Sequence, residues 1–417
     1  MHTKVASLDC GYGWNGCHYF QTWDHIESAP KLLNKYGYLT GIVGKIHVGP
    51  VPVYPWEVRE ESTARDVAWS ADKAEAIFNR AKEEDRPFFV TVGYIDPHRD
   101  STRGGFGNDE EYRSVHDKTY DPAKVPVPSF ISDLPEVRQE LSEYYRAVNR
   151  LDQGIGMVLA KLERSGMADD TLVMFVSDNG PPFINSKTTL YDAGVRLPMI
   201  VRRPGGASGI LNPNLVCFTD ILPTFLDWAG QGSVKGIRKG RSILPVLGET
   251  KLHQDWRRVF GSHTFHEVTS YYPTRFLRTE RYKYHRNIQW KLDFPFAGDL
   301  YAAFSWEGLR NQEPVILGKR PLTSYINRQP EELYDMWEDP QEVKNLASDP
   351  AYVKLVAEFR EATEKWQLET GDPWLFRDGQ SVKVLKHHIE NGLNLPDRFD
   401  FDAKNAGNKG KVYSKAW

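Results

Sequence analysis

Four short stretches carry residue types from which a reactive centre can be built, and three of them directly follow an apolar run. Ser177-Asp178-Asn179-Gly180 comes straight after Thr171-Leu172-Val173-Met174-Phe175-Val176. Asp178 and Asn179 offer hard oxygen ligands of the kind that calcium or magnesium takes. The same Asp-Asn-Gly sequence also suits a plain turn, because these residues tolerate left-handed backbone angles. Gly44-Lys45-Ile46-His47-Val48-Gly49-Pro50 follows the apolar run 39–43, and in an extended chain Lys45 and His47 point to the same side. A fixed cation beside a titratable imidazole suits an anionic substrate, with Lys45 holding a developing oxyanion and His47 moving a proton near neutral pH. A surface lysine and a structural histidine are the alternative. Asp96-Pro97-His98-Arg99 follows the run 88–95, and its proline stiffens the turn that presents His98, which is otherwise only a structural turn. Lys187, in Asn185-Ser186-Lys187-Thr188-Thr189, is either a further cation for the same pocket or a solvated loop lysine.

Positioning these groups together requires an α/β sheet, since ligand sites in open sheets of that class lie at the carboxyl ends of strands. The first 240 residues alternate short apolar runs with helical patterns, the signature of strand-helix-strand units in a mostly parallel sheet flanked by helices. Strands are predicted at 39–43, 88–95, 171–176 and 198–202, and helices at 28–35, 70–82 and 220–230. Leu141, Tyr145, Val148, Leu151, Ile155, Val158 and Leu162 recur at three- and four-residue steps, which predicts a long helix over 134–162 ending near Ser165-Gly166. The run 171–176 is continuously apolar and predicts a strand buried on both faces. Beyond residue 250 the pattern turns antiparallel, with a strand at 259–262, a hairpin around Thr279-Glu280 and an amphipathic helix over 351–368. The expected organisation is therefore an atypical segment 1–19, an α/β domain 20–245, a smaller α+β subdomain 250–380 and a polar, Lys-rich tail 381–417.

Composition excludes more than it assigns. The 417 residues are 40% hydrophobic and 26% charged, as in ordinary globular proteins. A net charge of -3 gives no general footprint for nucleic acid, and no apolar stretch reaches the roughly 18 residues of a membrane span. Cys10, Cys17 and Cys217 form neither a disulfide framework nor a zinc pattern. Strand-end cations, imidazoles and hard-metal ligands together fit hydrolysis of an anionic tetrahedral group.

The chain resembles the sulfatases, through Gly44-Lys45-x-His47-x-Gly49, Ser177-Asp178-Asn179-Gly180, Leu190-Tyr191-Asp192-Ala193-Gly194 and Glu332-Leu333-Tyr334-Asp335-x-x-x-Asp339-Pro340, in the same order. Within them it is most similar to the N-sulfoglucosamine sulfohydrolases, or sulfamidases, by Asp96-Pro97-His98-Arg99, Gly261-Ser262-His263-x-x-His266-Glu267-Val268-Thr269 and Thr370-Gly371-Asp372-Pro373-Trp374. The resemblance implies an alkaline-phosphatase-like α/β fold. It also implies one calcium ion, held by two early-strand aspartates plus Asp178 and Asn179, and a formylglycine made from the cysteine of Cys-x-Pro/Ala-x-Arg. Lys45 and His47 would contact that formylglycine, with His47 as the base that expels sulfate. His98 would be the acid at the leaving group, Lys187 would bind the sulfate oxygens, and His266 and Glu267 would grip the sugar. The substrate implied is a heparan-type glycan carrying N-sulfoglucosamine. A homodimer and a lysosomal, extracellular or periplasmic setting would accord with the family.

The departures are specific. Neither Cys10 nor Cys17 has Pro or Ala two positions on or Arg four positions on, and no Asp-Asp pair precedes Lys45. Residues 1–19 do not resemble the family, and the early strand, central in its sheet, has no counterpart here. An incomplete or misjoined gene product is the expectation, inactive or impaired as it stands. A non-catalytic relative that binds sulfated glycans and a phosphomonoesterase or phosphodiesterase of the same superfamily are the other readings.

Overall fold

The computed structural model describes residues 10–17, 20–102, 105–232, 240–266, 270–377 and 380–393. A short antiparallel pair opens it, β1 (Cys10–Cys17) with β2 (Phe20–Thr22). Helix α1 (Ala29–Lys35) follows, capped by Ser28, whose hydroxyl accepts from the Lys31 amide at 3.3 Å. Strand β3 (Leu39–Gly44) lies between β4 (Val58–Glu61) and β5 (Phe88–Gly93), parallel to both. Every residue of β3 is buried, as a central parallel strand covered on both faces must be. Helix α2 (Val67–Glu83), capped by Asp66, packs Ile77 and Ala81 onto Leu39 and Val43. On the other face, Leu32 and Leu33 of α1 meet Leu222 and Leu226 of α5 (Ile221–Trp228), with Phe89 against them.

The predicted long helix is α3 (Pro135–Ser165). Pro135 suits its first turn and Gly166, at φ 77°, ends it in the left-handed conformation. Strand β6 (Val173–Val176) then pairs only with β7 (Met199–Arg202), and antiparallel. Here the sequence expectation fails in one respect. Each β6 residue is half-buried rather than buried on both faces, because within the described residues no strand pairs with its other edge. The sheet is accordingly in two parts, β4-β3-β5 and β6-β7.

After the short helix α4 (Asp192–Val195), the carboxyl-terminal part forms an antiparallel sheet in the order β13-β10-β9-β8. Its strands are β8 (Arg258–Phe265), β9 (Tyr271–Thr279), β10 (Tyr282–Asn287) and β13 (Glu331–Asp335). Between the last two lie α6 (Phe304–Arg310), the two-residue pair β11 (Ile316–Leu317) and β12 (Arg320–Pro321), and α7 (Leu322–Ile326). The expected hairpin at Thr279-Glu280 is β9-β10. Helix α8 (Val353–Glu369) covers one face, with Val356 and Phe359 against Leu277, Tyr284 and Leu333. Tyr272 and Tyr334 instead join Phe183 and Tyr191 in a core that also takes in α3 and α6. The two halves thus share one interior. Two of the resemblance motifs sit in it as structural elements. Glu332 pairs with Arg328 at 2.7 Å, and Asp192 pairs with Lys283 at 2.8 Å.

Candidate functional site

Two glycines bring the first two loops together. At the end of β3, Gly44 has φ 87°, and a Cβ there would lie 2.1 Å from the Gly93 carbonyl oxygen at the end of β5. That approach lets the Lys45 amide donate to the Gly93 carbonyl at 2.7 Å, so the Lys45–His47 and Asp96–Arg99 loops leave the sheet side by side.

The second loop is held by buried ion pairs. Asp96 accepts from Arg150 at 2.6 and 2.8 Å and also pairs with Arg65, which donates to the His98 carbonyl at 2.8 Å. Arg99 pairs with buried Glu140 of α3 and donates to the Pro182 carbonyl, at 2.9 and 2.7 Å, in the loop that follows β6. Asp96 and Arg99 are therefore positioning residues, and only His98 of that motif is turned out to the surface. Its Nδ1 lies 2.7 Å from the Arg99 carbonyl. A carbonyl can only accept, so Nδ1 carries the hydrogen and Nε2 carries the lone pair when the ring is neutral. Desolvation at the site, joined by the positive charges of Lys187 and Lys45, holds the imidazole below its ordinary value, against the bond to Arg99 and the charge of Asp299.

Lys187 is buried, and its ammonium meets Asp299 at 2.6 Å. Flanking it, Asn185 and Thr188 take φ 66° and 68°, a cost that the surroundings must hold in place. Asn185 is fixed by donating to the Phe130 carbonyl at 2.8 Å and accepting from Arg320 at 3.0 Å. One of the three ammonium hydrogens serves Asp299, which leaves the others for a ligand. Burial raises the Asp299 carboxyl, but the bond to Lys187 and the charges of Lys187, His98 and Arg99 outweigh it and leave it below the usual range.

Lys45, His47, His98, Asp178, Asn179 and Lys187 all line one end of a single cavity of about 1060 Å³. Lys45 and Asp178 have no side-chain partner among the described residues. His266, just past β8, does not line it, and Glu267 lies outside the described residues. Asp299, Arg65, Arg150 and Glu140 are absent from the sequence expectation. Arg99 belongs to the Asp96-Pro97-His98-Arg99 stretch, but Asp299, in a short turn 112 residues from Lys187, carries no local signal.

Comparison with known proteins bears on what such a site does. The family model described as Sulfatase matches residues 13–231, just over half the chain. The chain belongs to the sulfatase family. A second model, described as N-sulphoglucosamine sulphohydrolase, C-terminal, matches residues 183–294. Human N-sulphoglucosamine sulphohydrolase is 37% identical over 389 residues, covering 86% of this chain and 77% of that protein. An ulvan-active sulfatase of Formosa agariphila is 25% identical over 84% of this chain and 65% of its own. Among solved structures, the phosphonate monoester hydrolase of Agrobacterium radiobacter superposes with TM-score 0.62 at 16% identity, covering 88% of this chain and 85% of that one. A structure solved with D-glucosamine-2-N,6-O-disulfate as its substrate gives TM-score 0.56 at 19% identity, covering 84% of each chain. These structures establish the alkaline-phosphatase-like fold shared with sulfatases.

Sulfatases in general use a formylglycine and a metal ion, and the residues of this chain fit neither. Calcium takes six to eight oxygens, several of them carboxylate. Asp178 is an exposed single carboxylate with Asn179 beside it, and no group of three or more His, Cys, Asp or Glu residues suited to a metal occurs among the described residues. Cys217, with Sγ 2.8 Å from the Thr219 hydroxyl, does not line the cavity. Adding millimolar calcium after EDTA is therefore expected to leave the melting temperature of the 417-residue chain unchanged. A rise of several degrees would show a bound ion, since ligand at 100 times its Kd adds about 2.7 kcal/mol.

Proposed function

We propose that the mouth of this cavity binds the sulfate of a sulfated sugar, N-sulfoglucosamine of heparan-type glycans in particular, and that the sulfohydrolase chemistry belonging to the site is removal of that N-linked sulfate. The observation that carries the reading is the convergence of buried Lys187, unpaired Lys45 and His98 at one end of one cavity. Two ammonium groups set beside an imidazole suit a compact anion better than a neutral ligand. The name of the human relative, N-sulphoglucosamine sulphohydrolase, supports the substrate class.

In this reading Lys45 and Lys187 hold sulfate oxygens, and His98 moves a proton at Nε2, next to the sugar nitrogen. His47 serves as the second imidazole of the site. Asp178 and Asn179 would be this chain's share of a calcium site completed by other groups. His266 and Glu267 would act on the sugar rather than on the sulfate. The missing Cys-x-Pro/Ala-x-Arg pattern supports binding without turnover for the 417-residue polypeptide by itself. That part is wrong if the purified polypeptide releases sulfate from N-sulfoglucosamine at an enzyme-like rate, or phosphate from an aryl phosphate.

Calorimetry tests the binding. Lys187→Met is expected to weaken N-sulfoglucosamine roughly 10- to 100-fold, the loss of a charge-assisted hydrogen bond. Glucosamine, which lacks the anion, is expected to bind no differently to the two proteins. Because His98 is neutral at pH 7 in the free protein, affinity is expected to rise on acidification from pH 7.5 to 5, as the ring gains a proton opposite the anion. His98→Asn is expected to flatten that dependence. Equal affinity of Lys187→Met and the parent would sink the reading.

A further inference from the structure

A carboxylate is bonded to the most deeply buried cation of a site whose other groups favour an anion. Lys187 lines the cavity, and Asp299 meets its ammonium from the turn ahead of α6, through Oδ2 at 2.6 Å. The other carboxylate oxygen, Oδ1, has no partner among the described residues, and the Asp299 side chain is 25% exposed against 7% for Lys187. The turn that carries Asp299, Gly298–Ala302, is fixed from both sides. Ala297 and Leu300 are buried, and at the start of α6 the Phe304 and Ser305 amides donate to Glu140 at 3.0 and 3.1 Å. Glu140 pairs with Arg99, the residue after His98. Asp299 is thereby held within electrostatic reach of both Lys187 and His98, and each of the three feels the charge of a neighbour in the group.

Satisfying a buried ammonium does not call for a carboxylate. A backbone carbonyl or an amide oxygen would accept the same hydrogen without cancelling the charge that an anion is to meet. The negative charge of Asp299 opposes every sulfate oxygen that Lys187 holds, and this is offset only by a ligand that offers a hydrogen-bond donor beside its sulfate. In a sulfated sugar the atom joining sulfur to the ring decides whether it does. A sulfamate joins them through an N–H, which donates, and a sulfate ester through an oxygen, which only accepts. A carboxylate one hydrogen bond away from the ammonium that grips the sulfate bonds the first and repels the second.

We propose that Asp299 is the specificity residue of the site, its free Oδ1 accepting the N–H of a sulfamate while Lys187 and Lys45 hold the sulfate oxygens, so that N-sulfated sugars bind in preference to O-sulfated ones. The inference rests on the sulfated-sugar reading and adds to it the group that tells the two linkages apart. It assigns the selection to the ground-state complex, so binding alone reports it.

Calorimetry on the full chain tests it with two ligands, N-sulfoglucosamine and glucose 2-sulfate, which share a ring and differ in the bridging atom. The parent is expected to bind the first roughly 10- to 100-fold more tightly, the worth of a hydrogen bond to a charged group. In Asp299→Asn the side-chain amide both donates and accepts, so it serves either bridging atom, and the ratio is expected to fall to about threefold or less. A carboxylate that only neutralises Lys187 would shift both affinities alike and leave the ratio as it was, which overturns the proposal. So does a parent that binds the two ligands equally, a result that needs no variant. Lys187→Met separates this inference from the reading beneath it. If that substitution weakens both ligands while Asp299→Asn leaves their ratio unchanged, the sulfated-sugar reading stands and the role of Asp299 falls. If it weakens neither, or the parent binds neither ligand, both fall.

Discussion

Replacing Arg99 by methionine is expected to destabilise the protein by about 3–5 kcal/mol, the usual consequence of leaving a buried ion without its partner. The Arg99 side chain is 4% exposed and that of its partner Glu140 is fully buried. The guanidinium donates to the Pro182 carbonyl at 2.9 and 2.7 Å, and it lies between the Phe106 and Phe183 rings, 5.1 and 5.2 Å from their centroids. Methionine keeps part of that apolar contact but none of the donors. Glu140 would retain only the Phe304 and Ser305 amides, at 3.0 and 3.1 Å, at the start of α6. Because Arg99 also ties the His98 loop to the loop ahead of Lys187, sulfate binding should weaken along with stability. Urea unfolding checks the first effect, and Glu140→Gln in the Arg99→Met background should recover part of it by removing the orphaned charge. A loss below about 1 kcal/mol, or strict additivity of the two substitutions, would show that the pair does not act as described.

Much of this arrangement was legible because apolar runs end where the chemistry begins. Lys45, His98 and Asp178 each stand within a few residues of a run's carboxyl end, where open α/β sheets place their ligand sites. The long helix was legible because Leu141, Leu151, Ile155, Val158 and Leu162 keep a helical step over many turns. Pairing was not legible. The run 171–176 reports that its surroundings are meant to be apolar, but not which strand supplies them, and β6 has a neighbour on one edge only. Nor could spacing show that Lys187 is buried against Asp299, since that contact joins two irregular segments without periodicity. Glu332 and Asp192 illustrate the converse. Both stood in recognisable motifs, yet their ion pairs with Arg328 and Lys283 hold the interior together and lie outside the cavity.

Stability is expected to fall steeply between about pH 6.5 and 4.5, with two imidazoles as the cause, that of buried His285 and that of half-buried His263. Desolvation, helped by the charges of Arg275 and Arg328, lowers His263 to about 4 despite a bond involving the Tyr272 backbone. Burial, with Lys283 beside it, takes His285 well below its ordinary value. In that window the unfolded chain binds protons at both positions and the folded chain does not, so acidification favours unfolding by about 1.4 kcal/mol per pH unit for each imidazole. For His263 alone the loss reaches roughly 3 kcal/mol at pH 4.5. Depressed carboxylates such as Glu332, held at about 2 against its own desolvation by Arg328, add to the loss only further down, as the unfolded chain's carboxylates begin to protonate. Glu342, raised by burial, works the other way and offsets part of the slope. Urea midpoints of the parent and of His263→Asn at pH 7.5 and 5.0 separate these contributions. The variant starts from a lower stability if the ring's packing matters, but its slope with pH should be shallower by about one imidazole. Parallel slopes in the two proteins would mean that His263 takes up its proton as readily in the fold as outside it, and that the acid sensitivity arises elsewhere.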